Sequence, residues 1–558
     1  MPHALSMPAP GFQAIILCGP GSSFPTFTAN PDENPKALIP IANRPMVWYP
    51  IDFCYRMGVT SITLICPPSS APAITAAMNT NPHLTGLPLP KPDLLAPKDL
   101  DQNTGTAQIF RLPEVRAIVK GDFIVLPCDL VCEIGGETLI ESWMVKEAGL
   151  GGATGGGHEF PGPKMAVGGE KGGRRGGLGV WYQTKGETAI KGEETDFIAT
   201  SPLEPGPAPP SKTSLLSHVS KLVYSVPTDT LNDITEEKKS LPVRHGLIRA
   251  HSRIRMLSSH RDAHIYIFPA WVIDMINRNE HMDSIGEDVI GWWAKAGWQD
   301  GLPEKLGLPE IFNNPNPSGN DDNMLDNAPA DESDFASLST TWTSKLEPTG
   351  TPHPNLKSEV PPMLAYVHPS KGKDPLPLIR RVDTAPLLLS VSLQLAKLES
   401  IEQVGREAAS PFAHTNKVAY PQGIASKTTV TRPDCLLAEN VTVEEKSAIK
   451  ECVIGANCQI KEGAKLTRCL LMDGVVVGKG CKLTDCLLGR RSEIGEDSIL
   501  QNCEVQENLL VDPHTEDKNN KIMSSEGMEA TEEELQESLG DEDDAIVDSV
   551  DSDIGFAA

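Results

Sequence analysis

ECVIGANCQIKEGAKLTRCLLMDGVVVGKGCKLTDCLLG, residues 451–489, is a stretch that repeats itself every 17 positions. Around it, aliphatic residues return at this interval in three series, which are offset from one another by six, six and five residues. Three short faces per turn, each with one inward aliphatic side chain, describe a triangular parallel β-helix, whose stacked coils bury a core that no single coil could bury alone. The series are Leu437, Ile454, Leu471 and Leu488; Val443, Ile460, Val477 and Ile494; and Ile449, Leu466, Leu483 and Leu500.

A column of cysteines follows the same period, at Cys435, Cys452, Cys469, Cys486 and Cys503. One interpretation is a metal or redox site. The other is a ladder of small, soft side chains packed at a corner of the helix. We favour the ladder, because thiols stacked at the ~4.8 Å strand spacing do not give tetrahedral ligation, and the column contains no histidine.

The amino-terminal part has a different texture, in which short apolar runs alternate with helix-like segments. FQAIIL (12–17), SITLIC (61–66) and DFIVLPC (122–128) indicate buried strands, and residues 44–59 a crossover helix. Apolar runs without period-two alternation, separated by longer segments, are typical of a parallel α/β sheet.

Further along the chain, ordered α/β sequence alternates with segments of biased composition. Residues 194–203 and 262–276 resume the α/β pattern, and residues 284–298 indicate a helix capped by Ser284 with Glu287 at the box position, in which Trp292 and Trp293 are packing residues. The Gly-rich stretch at about 149–179 indicates a flexible insertion, whose Lys171, Arg174 and Arg175 belong to a solvated loop or contact a partner.

The overall composition limits the function classes. The chain has 558 residues, with 75 acidic against 49 basic side chains and a formal charge of −26. This balance argues against a nucleic-acid binder, which normally shows a basic footprint. Twelve cysteines without a secretory signal indicate free thiols in the cytosol, and no stretch approaches the ~20 apolar residues of a membrane span.

The loop LCGPGSSFPTFTANPDENPKALIPIANRPM (17–46) follows the first strand and has features of a phosphate cradle. Backbone amides at Gly19 and Gly21 could approach phosphate oxygens, and Lys36 could neutralise their charge. Asp129 ends a strand at the sheet edge where ligands of such folds bind, so it either holds Mg²⁺ or caps the next turn. A glycine turn after a strand is common, and the motif is weak on its own.

Taken together, this loop, Asp129 and the carboxyl-terminal repeat resemble the sugar-1-phosphate nucleotidyltransferases. PKALIPIANRPM (35–46) is the most specific stretch of the resemblance. The chain departs from the active family in that Ser23 and Phe24 stand where that family has an Arg-Leu pair, and six residues separate Thr28 from Pro35 where it has three. The arginine stabilises charge on the transferred phosphoryl group, which serine cannot do. No second metal-binding aspartate is evident in 226–275.

A nucleotidyltransferase fold with a damaged loop resembles the gamma and epsilon subunits of eukaryotic translation initiation factor 2B, the guanine-nucleotide exchange factor for translation initiation factor 2. ILCGPGSSF (16–24), FIVLPCDLV (123–131), RRVDTAPLLLSVSLQL (380–395) and ECVIGANCQI (451–460) resemble the gamma subunits in particular. The resemblance implies a Rossmann-like α/β domain followed by a left-handed parallel β-helix of hexapeptide repeats. In epsilon subunits a helical HEAT domain, which carries the exchange activity, follows the β-helix; here only an acidic tail follows it.

The resemblance also implies a cytosolic, non-catalytic subunit that has neither metal nor cofactor and holds an epsilon-type catalytic subunit, the other subunits and translation initiation factor 2. Gly19, Gly21, Lys36 and Asp129 would then form a vestigial nucleotide pocket, which could still bind a nucleotide or a sugar nucleotide. The alternative is a GDP-mannose pyrophosphorylase-like enzyme or its regulatory subunit. The expected domains are 11–300 for the nucleotidyltransferase-like domain, 301–360 for a disordered insertion, 361–430 for a connecting segment and helix, 431–511 for the β-helix and 512–558 for an acidic disordered tail.

Overall fold

The computed structural model describes residues 12–101, 103–144, 175–186, 189–190, 193–203, 214–241, 243–313, 360–369 and 376–524. These residues separate into two compact units, one within Met1–Val391 and Ala409–Phe412, the other within Ser392–Ala408 and Ala413–Ala558. Among them, no helix combines the length and the apolar character that are needed to cross a bilayer. The predicted Lys171 and Arg174 of the Gly-rich insertion, and the tail beyond residue 524, lie outside the described residues.

The first unit is built on a nine-stranded sheet, in the order β5-β4-β1-β6-β11-β8-β12-β10-β9. Short pairs, β2 with β3 and β7 with β13, flank it. The strands of this unit are β1 Gln13–Leu17, β2 Pro40–Ile41, β3 Arg44–Pro45, β4 Ser61–Ile65, β5 Asp93–Leu95, β6 Phe123–Pro127, β7 Leu130–Cys132, β8 Gly177–Gln183, β9 Asp196–Ser201, β10 Val219–Pro227, β11 Arg255–Phe268, β12 Met363–Val367 and β13 Ile379–Arg381.

Helices lie between these strands and begin the second unit. The α-helices are α1 Trp48–Arg56, α2 Ala71–Thr80, α3 Pro82–Thr85, α4 Pro113–Ile118, α5 Gly136–Trp143, α6 Thr228–Lys238, α7 His245–Ala250, α8 Trp271–Arg278, α9 Ile290–Ala296, α10 Leu302–Lys305, α11 Leu308–Asn313, α12 Ala385–Ala396 and α13 Ile401–Val404. Single turns of 3-10 helix are Lys36–Leu38, Gln108–Arg111, Leu215–His218 and Pro421–Gly423, and one π-helical turn is Ile285–Val289.

The predicted strands and crossover helix of the amino-terminal part are present, but the sheet is mixed and not wholly parallel. β5, β4, β1 and β6 run parallel, and β1 pairs in register with both neighbours. β11 is 14 residues long and runs antiparallel to β6, β8 and β9. β1 lies between β4 and β6, and its consecutive residues Ala14, Ile15 and Ile16 are buried, so both faces of the strand are covered, which accounts for its apolar sequence.

The end of the Gly-rich stretch is ordered, contrary to the prediction of a flexible insertion over about 149–179. Gly177 and Gly179 lie in β8. A Cβ atom on Gly177 would lie 2.7 Å from the Trp293 ring, and one on Gly179 would lie 2.7 Å from the Trp181 ring. The glycines therefore allow indole rings to pack on the strand. Arg175, predicted to be solvated, forms an ion pair with Asp122.

Two predicted segment boundaries also differ from the structure. Residues 302–313, assigned to a disordered insertion, form α10 and α11, whose Leu302, Leu308 and Phe312 are buried in the core of the sheet domain. Residues 314–359 lie outside the described residues. β12, assigned to a connecting segment, is an interior strand that pairs with β8 and β10. Its MLAYV sequence is short and was not separable from a linker by pattern alone.

The predicted cap at Ser284 is present, with a different reciprocal partner. The Ser284 hydroxyl accepts a hydrogen bond from the Glu287 amide at 3.2 Å. Asp288, not Glu287, accepts in return from the Ser284 amide at 2.9 Å. Of the two tryptophans in this helical segment, Trp293 is buried as predicted, whereas Trp292 is 40% exposed.

The second unit is a parallel β-helix with three faces. Its strands form three parallel sheets, and the predicted inward series Leu437, Ile454, Leu471 and Leu488 stack directly on one another. One face consists of β14 Thr429–Val430, β17 Ala448–Lys450, β20 Lys465–Thr467, β23 Lys482–Thr484, β26 Ile499–Gln501 and β29 Glu516–Lys518; the second of β15 Leu436–Leu437, β18 Val453–Ile454, β21 Leu470–Leu471, β24 Leu487–Leu488, β27 Glu504–Val505 and β30 Lys521–Ile522; the third of β16 Thr442–Val443, β19 Gln459–Ile460, β22 Val476–Val477, β25 Glu493–Ile494 and β28 Leu510–Val511.

The stack is longer than the predicted 431–511 at both ends. Val418 pairs with Leu437, Ile424 with Val443, and Val430 with Ile449, so an additional coil precedes the repeat at a spacing of 19 residues. Two extra residues between Val430 and Leu437 hide this coil from a search at a period of 17. At the other end, β29 and β30 carry the stack to Ile522, within the range assigned to the tail.

The corners of the β-helix repeat as regularly as its faces. Three columns of residues with positive φ, each with a 17-residue spacing, mark the turns between strands. The cysteine column is fully buried, and several of its thiols donate to the carbonyl oxygen two residues earlier, as Cys469 does to Thr467 at 3.3 Å. The corner columns are Asn440, Asn457, Gly474, Arg491 and Asn508; Lys446, Gly463, Gly480, Asp497 and His514; and Glu451, Arg468, Asp485, Asn502 and Asn519.

Candidate functional site

A cavity of about 190 Å³ lies at the carboxyl ends of the parallel strands of the first unit. β1, β4 and β6 end in register at Leu17, Ile65 and Pro127, and the residues that follow them line the cavity. This edge is where open α/β sheets bind ligands. The volume is below the ~300–1,000 Å³ of pockets that bury a drug-sized ligand.

Three of the four predicted pocket residues meet at this cavity. Gly19, Lys36 and Asp129 line it, and a Cβ atom on Gly19 would have no atom within 4 Å. Gly21 is not among the lining residues. Its φ is +96°, and a Cβ atom there would lie 2.8 Å from Cγ2 of Thr28. Gly21 therefore serves the conformation of the loop and its packing on Thr28.

The rest of the loop is held by its own contacts. The Thr28 hydroxyl contacts the carbonyl oxygens of Gly21 and Phe24, each at 2.8 Å. Phe24 is buried, and the Lys36 ammonium lies 5.9 Å from the centroid of its ring. Ser23 is exposed and does not line the cavity. Phe24, which stands where the active nucleotidyltransferases have leucine, thus contacts Lys36. Ser23, which stands where they have arginine, faces solvent.

Asp129 is a buried counter-ion in this structure. Lys36 Nζ lies 2.7 Å from Oδ2 of Asp129, and Arg381 Nε lies 3.4 Å from Oδ1. Although burial raises the pKa of Asp129, the two cations lower it further, and the net pKa is well below its ordinary value. Both carboxylate oxygens are therefore engaged by side-chain cations. A divalent ion would have to displace at least one of them.

The ion pairs continue away from the cavity. Arg381 lies 3.8 Å from Asp383, which pairs with the buried Arg261, and Arg261 also contacts Glu194 at 3.1 Å. Charges alternate along this chain from Lys36 to Glu194, so each buried guanidinium has a carboxylate beside it. Such networks fix side-chain geometry, and the loss of one member leaves a buried charge without a partner.

Two cysteines sit on the floor of the cavity. Cys18 and Cys128 follow the paired strands β1 and β6, and both thiols are free and buried. Hydrogen bonding between the two thiols raises the pKa of Cys18 and lowers that of Cys128, and Lys36 also lowers the pKa of Cys128. Neither cysteine belongs to a sequence motif that would indicate a site. The register of the two strands is what brings them together.

Residues at a bulge in β11 also line the cavity. His264 has φ of +53°, and the pairing of β11 with β8 is irregular between Asp262 and Tyr266. His264 and Tyr266 line the cavity, and the Tyr266 hydroxyl donates to Asp262. Burial, followed by the neighbouring Asp196 carboxylate, raises the pKa of Asp262 to about 7. Burial lowers the pKa of His264, which favours a neutral imidazole there.

The sequence did not reveal Arg381, His264 or Tyr266 as site residues. Arg381 is 252 positions from the carboxylate that it pairs with, and no local pattern reports such a contact. His264 and Tyr266 lie in residues 262–276, where the sequence indicates only that the α/β pattern resumes. The available signal was the Arg-Arg-x-Asp sequence at 380–383, which places three charged residues directly before an apolar helix.

Two cations, Lys36 and Arg381, and two carboxylates, Asp101 and Asp129, line the cavity, and the cations engage both oxygens of Asp129. Lys36, Arg381 and the open backbone at Gly19 could hold an anion such as a phosphate. Within the described residues, no group of three or more histidine, cysteine or acidic side chains is placed to hold a metal ion. The arginine that would stabilise a transferred phosphoryl group has no counterpart at position 23.

Comparisons with known proteins agree with this architecture. Residues 419–516 match the family model described as "EIF2B subunit epsilon LbH domain". The match confirms the predicted left-handed β-helix, and the structure confirms the α/β domain that precedes it. The chain is 24% identical over 317 residues to "Translation initiation factor eIF2B subunit gamma" of Schizosaccharomyces pombe, with 56% of this chain and 58% of that relative covered. The match thus spans less than two thirds of the length of the relative.

Proposed function

We propose that this chain, an eIF2B gamma-like protein, is a non-catalytic gamma-type subunit of the cytosolic complex that exchanges GDP for GTP on translation initiation factor 2. Its role is to bind an epsilon-type catalytic subunit, to assemble with the remaining subunits and to contact the initiation factor. The similarity to a gamma subunit supports this role. The engagement of both Asp129 oxygens by Lys36 and Arg381 carries the non-catalytic part of the proposal.

The physical argument concerns what a nucleotidyltransferase site must do. Phosphoryl transfer relies on positioned cations and on metal ions that neutralise developing charge. Here the carboxylate at the end of β6 is already neutralised by two side chains, and residue 23 is an exposed serine. A fold in which side-chain cations occupy this carboxylate can serve as a binding partner without performing the chemistry.

The test is reconstitution with the epsilon-type subunit of the same organism. We expect the two chains to co-purify at a fixed ratio. We expect the pair to release fluorescent GDP from translation initiation factor 2 faster than the epsilon-type subunit alone, while this chain alone releases none. A chain that binds no epsilon-type subunit, or that releases GDP by itself, would contradict the proposal.

The alternative, a GDP-mannose pyrophosphorylase-like enzyme, predicts that the natural chain releases pyrophosphate from GTP and mannose 1-phosphate. Under the exchange-factor proposal, this release should be absent in the natural chain and in Ser23→Arg, because the arginine alone does not free Asp129. An authentic pyrophosphorylase assayed in parallel shows that the assay works. Turnover by the natural chain would replace the exchange-factor proposal with the enzymatic one.

Residual nucleotide binding at Gly19, Lys36 and Asp129 is a separate part of the proposal. The cavity is small, and an anionic ligand would compete with Asp129 for Lys36 and Arg381. We expect GTP and GDP-mannose to bind weakly, in the millimolar range, which corresponds to about 4 kcal/mol. Titration calorimetry with Lys36→Ala as the control would show whether the observed binding uses this cavity.

A further inference from the structure

A second cavity, of about 260 Å³, lies elsewhere on the first unit and shares no lining residue with the one described above. Its apolar surface comes from β9, β10 and α7, with Phe197, Ala199 and Leu247. Tyr224, Trp292 and Trp298 add aromatic rings to its lining. We call this cavity and its rim the aromatic cleft. Its lining residues are Phe197, Ala199, Tyr224, Ile234, Lys238, Leu241, Val243, Arg244, Leu247, Met256, Trp292, Lys295, Trp298 and Gln299.

The aromatic cleft leaves apolar side chains exposed. Trp292 is 40% exposed, Val243 42% and Met256 46%. These are three of the eight large hydrophobic side chains that are exposed in the described part of the chain, and Ile248, a fourth at 57%, follows the lining residue Leu247. Single exposed apolar residues are ordinary on a protein surface, but a cluster of this kind marks a binding surface.

The charge of the aromatic cleft is opposite to that of the chain. Lys238, Arg244 and Lys295 line it, and no aspartate or glutamate does, although the chain as a whole carries −26. Lys295 lies 5.0 Å from the ring centroid of Tyr224 and 5.1 Å from that of Trp292. Within the described residues, none of these three cations pairs with a carboxylate within 4 Å. Burial and the nearby Arg244 lower the pKa of Lys295.

The basic character extends along the adjoining segment. Residues 238–255, KKSLPVRHGLIRAHSRIR, contain six lysine and arginine residues and no acidic residue. Arg244 and Arg249 are both exposed, but only Arg244 lines the cleft. A positive surface on an acidic protein selects acidic partners and accelerates their association.

We propose that the aromatic cleft binds an acidic peptide segment of a partner protein, which inserts an apolar side chain between the rings and places its carboxylates on Lys238, Arg244 and Lys295. The apolar floor accepts an aliphatic or aromatic anchor, as the centres of protein interfaces do. The cluster of exposed aliphatic side chains favours a peptide over a nucleic acid, whose interfaces are more polar and follow a phosphate backbone. This inference is independent of the exchange-factor role.

The test is fluorescence anisotropy with the full-length chain and the fluorescein-labelled peptide Asp-Glu-Asp-Leu-Phe-Asp-Glu-Asp. We expect saturable binding with a Kd of micromolar order that weakens as NaCl is raised. Replacing Leu-Phe by Ser-Ser in the peptide should weaken binding about tenfold or more, because the apolar anchor is then missing. A basic peptide with Lys in place of the acids should not bind.

Two charge reversals distinguish a built site from diffuse attraction. Arg244→Glu should weaken binding about tenfold or more, whereas Arg249→Glu, the same change at an exposed residue outside the cleft, should weaken it only about twofold. Trp292→Ala should weaken binding without altering the salt dependence. Each variant is checked for an unchanged unfolding midpoint, and Lys238→Glu, a charge reversal at another lining residue, replaces Arg244→Glu if that variant fails the check.

Three outcomes would overturn the proposal. They are no saturable binding of the peptide up to millimolar concentration, equal loss in Arg244→Glu and Arg249→Glu, and binding of a uridine oligonucleotide tighter than that of the peptide. The last outcome would reassign the surface to RNA.

Discussion

The two cations beside Asp129 determine how much a substitution of this residue should lower the free energy of unfolding. Asp129→Asn removes the counter-charge of two largely buried cations, Lys36 and Arg381. We expect a loss of about 3–5 kcal/mol in the free energy of unfolding. All eight tryptophans precede residue 343, so urea unfolding followed by tryptophan fluorescence reports on the amino-terminal part.

The control for this change is an exposed ion pair of the same unit. Glu310 pairs with Arg278, and the two side chains are 72% and 41% exposed. Glu310→Gln should change the unfolding free energy by no more than about 1 kcal/mol. Because the pKa of folded Asp129 is lowered, its stabilisation is complete above the ordinary aspartate range and is lost as pH falls through and below it. Equal effects of the two substitutions would contradict the buried-counter-ion assignment.

The two glycines of the loop should respond differently to alanine. Gly21→Ala places a Cβ at positive φ and against Thr28, which should cost about 1–3 kcal/mol. Gly19→Ala points into open space and should change stability by no more than about 0.5 kcal/mol. Urea unfolding by tryptophan fluorescence measures both. A larger cost at Gly19 would mean that the cavity is closed more tightly than the structure shows.

The contribution of Asp262 to the free energy of unfolding should depend on pH with the opposite sign to that of Asp129. Its pKa is raised to about 7 in the fold, so the folded protein holds a proton that the unfolded chain has already released above the ordinary aspartate range. Stability from this group is therefore complete at low pH and falls as pH rises towards 7, by on the order of 1 kcal/mol per unit. Asp262→Asn should flatten this part of the profile, and the exposed Asp93→Asn should not.

At the scale of elements, the short strands of the β-helix carry leucines of two kinds, which point inward or outward. Leu471 is fully buried in the middle of the stack, whereas Leu510 on β28 is 64% exposed. Leu471→Ala should cost about 2–5 kcal/mol through lost burial and a residual cavity. Leu510→Ala should stay within about 0.5 kcal/mol.

Hydrogen exchange of the intact chain measures this difference locally. Amides of the coils around Leu471 should lose protection in Leu471→Ala, while Leu510→Ala leaves them as in the natural chain. Loss of protection confined to the substituted residue in Leu471→Ala would show that the coils do not share one core.

Elements with a long-range period could be predicted from the sequence, and elements defined by packing could not. The inward series from Leu437 to Leu488 follows from spacing alone, because every coil repeats the same geometry. The glycine strand β8 did not, because Gly177 makes room for the ring of Trp293, which comes from a distant segment. The exposure of Trp292 next to the buried Trp293 is likewise a tertiary property, since both occupy one helix.

The candidate site shows the same division. Gly19, Lys36 and Asp129 were predictable, because strand ends and a Pro-Lys pair place them at one sheet edge. Their mutual neutralisation was not, because it depends on Arg381, which arrives from a strand that pairs with β7 on the other side of a long chain segment. Whether a carboxylate holds a metal or a guanidinium is decided by such distant partners.

At the scale of the whole molecule, the cysteines make a prediction that covers both units. All twelve are free and buried. The native chain should therefore react with essentially none of an excess of Ellman's reagent on a time scale of minutes, and with all twelve thiols after denaturation. Ser23→Cys, at an exposed position, is the positive control and should react at once. Rapid reaction of the natural chain would contradict the packing of the thiol ladder.

The additional first coil, with its 19-residue spacing, has a consequence for how such a chain can change length. The two surplus residues fall between strands, so the coils on either side stay in phase. A duplication or deletion in the part of the gene that encodes the β-helix can then be neutral in two forms only, as a whole coil or as a few residues at a corner. An insertion of one residue within a face would invert the side chains that follow it in that face, so that inward residues point outward up to the next corner. Homologous genes should accordingly differ here by full repeats and by ragged corners, and not by single codons within the faces.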